Sequence, residues 1–236
     1  MIERQIWIID FGSQYTQLIT RKTRELGYSS EIITLEDFDE RLAEGKKPNA
    51  VVLSGGPQSL SEDTTDYTKY FNDESMPILG ICYGMQIMAR EFGGKVDKGF
   101  QGEYGHAMIH TVGDITIPNC PKEINVWMSH FDHVSVVPKD FETILESHNK
   151  MVAGFKHKTR PVLGFQFHPE VEHSDHGLDL LRYFYHDLAK LEKDWSAKAM
   201  LEEAFELVQS IGDTQVLCAF SGGVDSLVAA TLAQKV

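Results

Sequence analysis

Pro77-Ile78-Leu79-Gly80-Ile81-Cys82-Tyr83-Gly84-Met85-Gln86 decides how this chain is read. Pro77–Cys82 is a solid apolar run, as expected of a strand buried on both faces. It ends in Gly80-Ile81-Cys82-Tyr83-Gly84 and feeds a helical pattern over Gly84–Phe92 with Gly93-Gly94 behind it. A G-x-nucleophile-x-G elbow needs glycines on both sides, because the sharp strand-to-helix turn leaves no room for side chains. Here Cys82 stands where many such elbows carry serine. At a helix N-terminus the thiolate, the reactive form of cysteine, is favoured by the dipole and free amides. A buried structural cysteine between two packing glycines is the competing explanation.

Working outward, the same grammar repeats. Gln5–Asp10 is a short apolar strand, followed by helical spacing over Gln14–Leu26 and a stop at Gly27. Glu31–Leu35 is strand-like, and Ala50–Leu53 is a second solid run ending in Ser54-Gly55-Gly56-Pro57. Strands alternating with helices predict an α/β fold with a mostly parallel central sheet flanked by helices. Between Glu103 and Gln166 the pattern changes to short β-rich pieces: Ala107–Val112, Ile115–Pro118, Asn125–Met128, His133–Val137, Thr143–Glu146, Met151–Phe155 and Pro161–Phe167. These read as added antiparallel strands. Gly177–Leu191 is an amphipathic helix on which Tyr183, Phe184 and Tyr185 are packing residues.

A charged stretch, Lys190–Lys198, follows as a linker. A helix is predicted over Ser196–Ile211 with Ser196 as N-cap, then a strand over Val216–Phe220 and a helix over Leu227–Lys235. One strand–turn–helix cannot bury both its faces. The expected division is therefore 1–191 as one complete domain and 192–236 as the start of a truncated second α/β domain.

Composition limits the partners. The chain has 236 residues, 42% hydrophobic and 24% charged, an ordinary globular balance. Its net charge of −13 and the lack of any Lys/Arg run longer than two argue against nucleic acid and anionic membrane. Three cysteines without a CxxC pair predict no disulfide framework, and no apolar run reaches membrane-spanning length. A reducing cytoplasm is the expected compartment.

A nucleophilic cysteine needs a base, and the base an orienter. His168, in Gln166-Phe167-His168-Pro169-Glu170, follows a core strand. Pro169 holds His168 extended, and in extended backbone residues i and i+2 share a side, so Glu170 can flank the ring. The Ser54–Pro57 turn exposes an amide that could join the Tyr83 amide as an oxyanion hole. All three segments lie at C-terminal strand ends, where sites of open α/β sheets gather. Glu172-His173-Ser174-Asp175-His176 has metal-ligand residue types, but two histidines alone make a poor ligand set, and no metal site is predicted.

In this order and context the three segments resemble the class I (triad-type) glutamine amidotransferases, over about residues 4–191. The resemblance implies a flavodoxin-like core, glutamine as substrate, and a triad of Cys82, His168 and Glu170. It implies oxyanion amides at Gly56 and Tyr83, and glutamine contacts at Gln86, Ser129, His130 and Asp132. The Ser-His-x-Asp segment departs from the family at Phe131, where a small residue is usual.

Phe220-Ser221-Gly222-Gly223-Val224-Asp225-Ser226 is a second glycine-rich turn into a helix. Serine and glycine amides at a helix N-terminus form a phosphate cradle, although the lysine of a Walker loop is lacking. It is similar to the pyrophosphatase loop of adenylating amidotransferases and ligases, with Ser221, Gly222, Gly223, Val224, Asp225, Ser226 and Leu227 as the contact residues. The two resemblances together imply ATP and Mg²⁺ as cofactors, XMP as the acceptor aminated to GMP, and a homodimer at full length. These 236 residues alone are not expected to make GMP. A glutaminase serving another acceptor, or a module silent without its synthetase half, are the alternatives.

Overall fold

A computed structural model describes residues 4–113, 115–212, 215 and 217–235. The chain divides into two compact units, the first running through Asp194 and the second starting at Trp195.

In the first unit, nine strands form one sheet in the order β2-β1-β3-β4-β9-β8-β7-β5-β6. Four strands precede the elbow helix: β1 (Ile6–Ile9), β2 (Ser30–Ile33), β3 (Ala50–Leu53) and β4 (Ile78–Ile81). Together with β9 (Val162–Phe165) they pair in parallel. This half has the flavodoxin-like strand order, which reverses between β1 and β3. The other strands are β5 (Lys95–Thr111), β6 (Glu123–Val136), β7 (Phe141–Ser147) and β8 (Val152–His157). All of their pairings are antiparallel. The sheet is thus mixed: five contiguous strands form the parallel part, and the antiparallel strands expected from Glu103–Gln166 extend it beyond β9.

The strand runs are continuous because both faces are covered. Ile6 and Ile8 pack into one apolar cluster with Leu79, Leu163 and Phe184. Trp7 and Ile9 pack into the opposite one with Val51, Leu53 and Ile87. Each such fully buried side chain contributes about 1.5–3 kcal/mol as an upper estimate.

Helix α1 (Thr16–Glu25) and helix α3 (Tyr83–Glu91) form where apolar spacing predicts them. Helix α2 (Leu35–Ala43) does not appear in the sequence reading. A capping box starts it: Asp37 N–H donates to Thr34 Oγ1 at 3.1 Å and Thr34 N–H to Asp37 Oδ2 at 3.1 Å.

Two predicted strands, Asn125–Met128 and His133–Val137, are joined in β6, which ends at Val136, because Ser129, His130 and Asp132 still pair with β5 across a register shift between Lys98 and Glu103. Residues 115–118, expected as a strand, are not one: the segment packs Ile117 into the core without joining a ladder. The helix predicted over Gly177–Leu191 is α-helical only in α4 (Gly177–Arg182) and continues as a π-helical stretch, Tyr183–Leu188. The wider turn goes with burial of both Phe184 and Tyr185, consecutive aromatic residues with 0% exposure.

The stretch read as a linker is partly anchored. Asp194 accepts from Ser29 N–H at 2.7 Å and also from its hydroxyl, and Glu192 C=O accepts from Gln5 Nε2 at 3.0 Å.

The second unit contains α5 (Ala197–Ser210) and α6 (Val224–Lys235). Ser196 caps α5 by accepting from Ala199 N–H at 3.1 Å. The strand expected over Val216–Phe220 is corrected for residues 217–220, which are irregular and exposed; Val216 lies outside the described residues. An isolated segment has no neighbouring ladder to satisfy a strand's backbone.

Candidate active site

The elbow follows from steric necessity. Cys82 closes β4, caps α3 and has φ 52° and ψ −106°, an unfavourable backbone for a residue with a Cβ. Such strain costs about 1–3 kcal/mol and persists only where surroundings impose it. They do so here. Cys82 N–H donates to Phe165 C=O at 2.7 Å, and Gly84 N–H to Ser54 C=O at 3.1 Å. A Cβ on Gly84 would lie 2.4 Å from Leu53 O, and one on Gly80 would meet Met88 Sδ at 2.4 Å and the backbone at 2.7 Å. The glycines therefore let α3 lie directly against β3.

Cys82 Sγ faces Ser129 C=O at 3.6 Å and interacts with the side chain of His168. Nδ1 of His168 is 2.8 Å from Glu170 Oε1. All three side chains are buried. Burial acts to lower the His168 pKa, but the Glu170 charge and the neighbouring Cys82 outweigh it. The result is a pKa well above the usual histidine value. The Tyr15 ring stands edge-on to the imidazole with centroids 4.9 Å apart. A Cβ on Gly55 would lie 3.0 Å from His168 Cε1 and 3.6 Å from Cys82 Cβ, so the turn after β3 passes as close as backbone can.

A cavity of about 570 Å³ opens onto Cys82 and His168. Gly56, Tyr83, Gln86, Ser129, His130 and Asp132 line it, so all the expected oxyanion and glutamine-contact positions come together. Phe131, the departure from the family pattern, lines it as well and is partly exposed. Gln86 also ties the pocket wall together, because its Nε2 donates to Asp132 C=O at 2.8 Å and Gln166 Oε1 at 3.3 Å. Asp132 accepts from Ser59 at 2.5 Å, while its Oδ1 is buried with no hydrogen-bond partner among the described residues. His130 lies between Asp132 C=O, 3.0 Å from Nδ1, and Glu103 Oε2, 3.4 Å from Nε2. The nearby His130 ring holds the Glu103 carboxyl below its ordinary range.

Sequence reading missed several residues of this site: Tyr15, Ser59, Asp63, Glu103 and Ser174. Asp63 accepts from the Tyr83 hydroxyl, and from the Tyr67 hydroxyl at 2.9 Å, and so ties the loop after β3 to α3. Only Tyr15 carried a signal, lying just after the C-terminal end of β1 where sites gather.

Among the described residues no group of three or more His, Cys, Asp and Glu is placed to hold a metal ion. His173 packs against the Trp127 ring, centroids 4.9 Å apart, and His176 pairs with Asp179 at 3.2 Å. No helix among them is long and apolar enough to cross a membrane.

In the second unit, the Ser221 and Ser226 hydroxyls are 3.1 Å apart across the loop that opens α6, and Gly222 has φ 81°. Gly222, Gly223, Val224, Asp225 and Leu227 are all exposed there.

The chain is 44% identical to GMP synthase (glutamine-hydrolyzing) of Staphylococcus saprophyticus, over 98% of this chain and 45% of that protein. It is 39% identical to the enzyme of the same name from Thermosipho melanesiensis, over 98% and 45%. It spans less than half the length of these curated relatives. A Thermoplasma acidophilum structure, provisionally assigned as one subunit of GMP synthase, superposes with TM-score 0.71 at 34% identity, covering 86% of this chain and all of that one. The family profile "Glutamine amidotransferase class-I" matches residues 7–188. With that match spanning the sheet, the elbow and the His168–Glu170 segment, the chain belongs to the class I glutamine amidotransferases.

Proposed function

We propose that this chain hydrolyses glutamine to glutamate and ammonia with Cys82 as nucleophile, His168 as acid–base and Glu170 as orienter. The observation that carries the reading is the strained, buried Cys82 at a helix N-terminus beside a histidine whose other nitrogen is paired with a carboxylate. Cys82 thiolate attacks the side-chain amide carbon. The N–H groups of Gly56 and Tyr83 receive the developing oxyanion; Tyr83 opens α3, and a helix leaves its first amides without intrahelical partners. His168 imidazolium gives its proton to the departing nitrogen, the C–N bond breaks, and ammonia leaves. A water then attacks the γ-glutamyl thioester, His168 takes its proton, and Cys82 departs as thiolate with glutamate released. The unpartnered Asp132 Oδ1 suits the substrate's α-ammonium group, and Gln86, Ser129 and His130 shape the same pocket.

The ammonia serves an ATP-dependent amination of XMP to GMP, the activity that the names of the relatives describe in part. Ser221–Leu227 would hold phosphate groups of ATP. The fit rests on donor chemistry: two facing hydroxyls, and a Gly222 whose missing Cβ leaves open space. Bound ATP with Mg²⁺ would supply activation of the acceptor oxygen as a leaving group. GMP formation belongs to the longer enzyme, active as a homodimer in the cytoplasm. These 236 residues are not expected to perform it.

The test is reaction with a glutamine-like electrophile such as a diazoketone analogue. Stoichiometric labelling at Cys82, lost in Cys82→Ala, supports the reading. Glutamate release by Cys82→Ala at the wild-type rate would sink it.

A further inference from the structure

Strand β6 is the last strand in the sheet order, so among the described residues one of its edges has no strand neighbour. Such an edge carries unpaired N–H and C=O groups that a protein must cover. The segment after β9 covers it. His168 N–H donates to Trp127 C=O at 3.1 Å, and Asp175 N–H donates to Asn125 C=O at 2.9 Å. On the same edge, Trp127 N–H donates to Ser174 Oγ at 3.0 Å. Ser174 Oγ in turn donates to His168 C=O at 2.6 Å. Both backbone polar groups of His168 are thereby referred to Trp127, one directly and one through a single buried hydroxyl. Two residues further along β6, Ser129 C=O faces Cys82 Sγ.

We propose that Ser174 is a positioning residue for His168: its hydroxyl locks the His168 backbone to β6, the strand that also faces the Cys82 thiol. The proposal rests on the glutaminase reading above. The surrounding geometry leaves Ser174 little freedom. It is 6% exposed, and its N–H donates to Val171 C=O at 3.2 Å. Gly177 closes the turn so tightly that a Cβ there would lie 2.0 Å from Pro169 O. The segment Glu172–His176, whose residue types suggest metal binding, acts instead as the brace of the histidine. Serine at position 174 is the smallest side chain that both accepts and donates. Without the hydroxyl, Trp127 N–H and His168 C=O lose their shared partner, and His168 can drift relative to Cys82.

The experiment measures the second-order rate of Cys82 labelling by the diazoketone glutamine analogue in Ser174→Ala and Ser174→Thr, with their melting temperatures. Ser29→Ala, which breaks the part-buried contact with Asp194, is the stability control. We expect Ser174→Ala to react about tenfold or more slowly, since small misplacements of reacting groups carry large rate penalties. Ser174→Thr, which keeps the hydroxyl, should recover most of the rate, and Ser29→Ala should retain it despite a lower melting temperature. A Ser174→Ala protein reacting at the wild-type rate overturns the brace alone. Should that variant not fold, Ser174→Cys is read on the same scale: a slowed rate supports the brace, an unchanged one overturns it. A wild-type protein that takes no label overturns the glutaminase reading and the brace with it.

Discussion

His168 and Glu170 form a buried pair, Nδ1 to Oε1 at 2.8 Å, across a single proline. Its effect on pH dependence has a definite sign. Burial pulls the His168 pKa down, but attraction to Glu170 and the contact with Cys82 prevail and raise it well above the ordinary value. The stabilisation is therefore fully present below the unfolded histidine pKa of about 6.5 and is lost as pH rises through the folded value. Glu170→Gln removes the charge. Its melting temperature should fall below wild type most at low pH, with the gap closing in alkali. Glutaminase activity should drop by roughly 10²–10⁴, the usual worth of a positioned acid–base. Melting curves across pH check the first expectation and glutamate release the second; a gap that widens in alkali contradicts the assignment.

Two glycines should separate stability from activity. A Cβ at Gly84 would lie 2.4 Å from a backbone oxygen in β3, which cannot swing aside. Gly84→Ala should cost about 1–3 kcal/mol or more, as overpacking does, measured by denaturant unfolding. Gly55→Ala meets mainly side chains, His168 Cε1 at 3.0 Å and Cys82 Cβ at 3.6 Å. It should unfold nearly like wild type while labelling of Cys82 slows sharply.

How far these relationships were legible depends on where their causes lie. The elbow was readable because steric need forces glycine at Gly80 and Gly84, and the His168–Glu170 pair because extended backbone has period two. Helix α2 was hidden by its acidic residues, although Thr34-x-x-Asp37 is a short-range capping signal. The merging of two predicted strands into β6 was not readable, since it depends on pairing with β5, a partner set by tertiary structure. The same holds for Ser59, Asp63, Glu103 and Ser174. Nothing local marks a serine whose partners are His168 and Trp127.

Among the described residues, the hydrogen-bond partners of the proposed nucleophile and base belong to the first unit. The bonds of Cys82, His168 and Glu170 all lie between Ser54 and Ser174. A chain ending at Asp194 keeps the Asp194–Ser29 contact and should fold and take the electrophile at Cys82 at the rate of the 236-residue chain. Loss of labelling on removing residues 195–236 would show that the second unit completes the site.

Asp63 gives a pH test at the acid end. Burial acts to raise its pKa, but bonds from Thr65, Tyr83 and Tyr67 outweigh that and lower it to about 2. A carboxylate with a depressed folded pKa stabilises above its unfolded value, about 3.9, and that contribution is lost as pH falls. The window for this loss runs from about 4 down to about 2. Asp63→Asn should therefore melt below wild type at pH 5 and above, with the difference shrinking as pH drops through the window. Because Asp63 holds the Tyr83 hydroxyl, and Tyr83 supplies a proposed oxyanion amide, labelling of Cys82 should also slow at neutral pH. Equal melting temperatures at pH 7 would mean that Asp63 only decorates the loop, and the link from that loop to α3 would have to be carried by Arg90, which donates to Asp63 C=O at 2.6 Å.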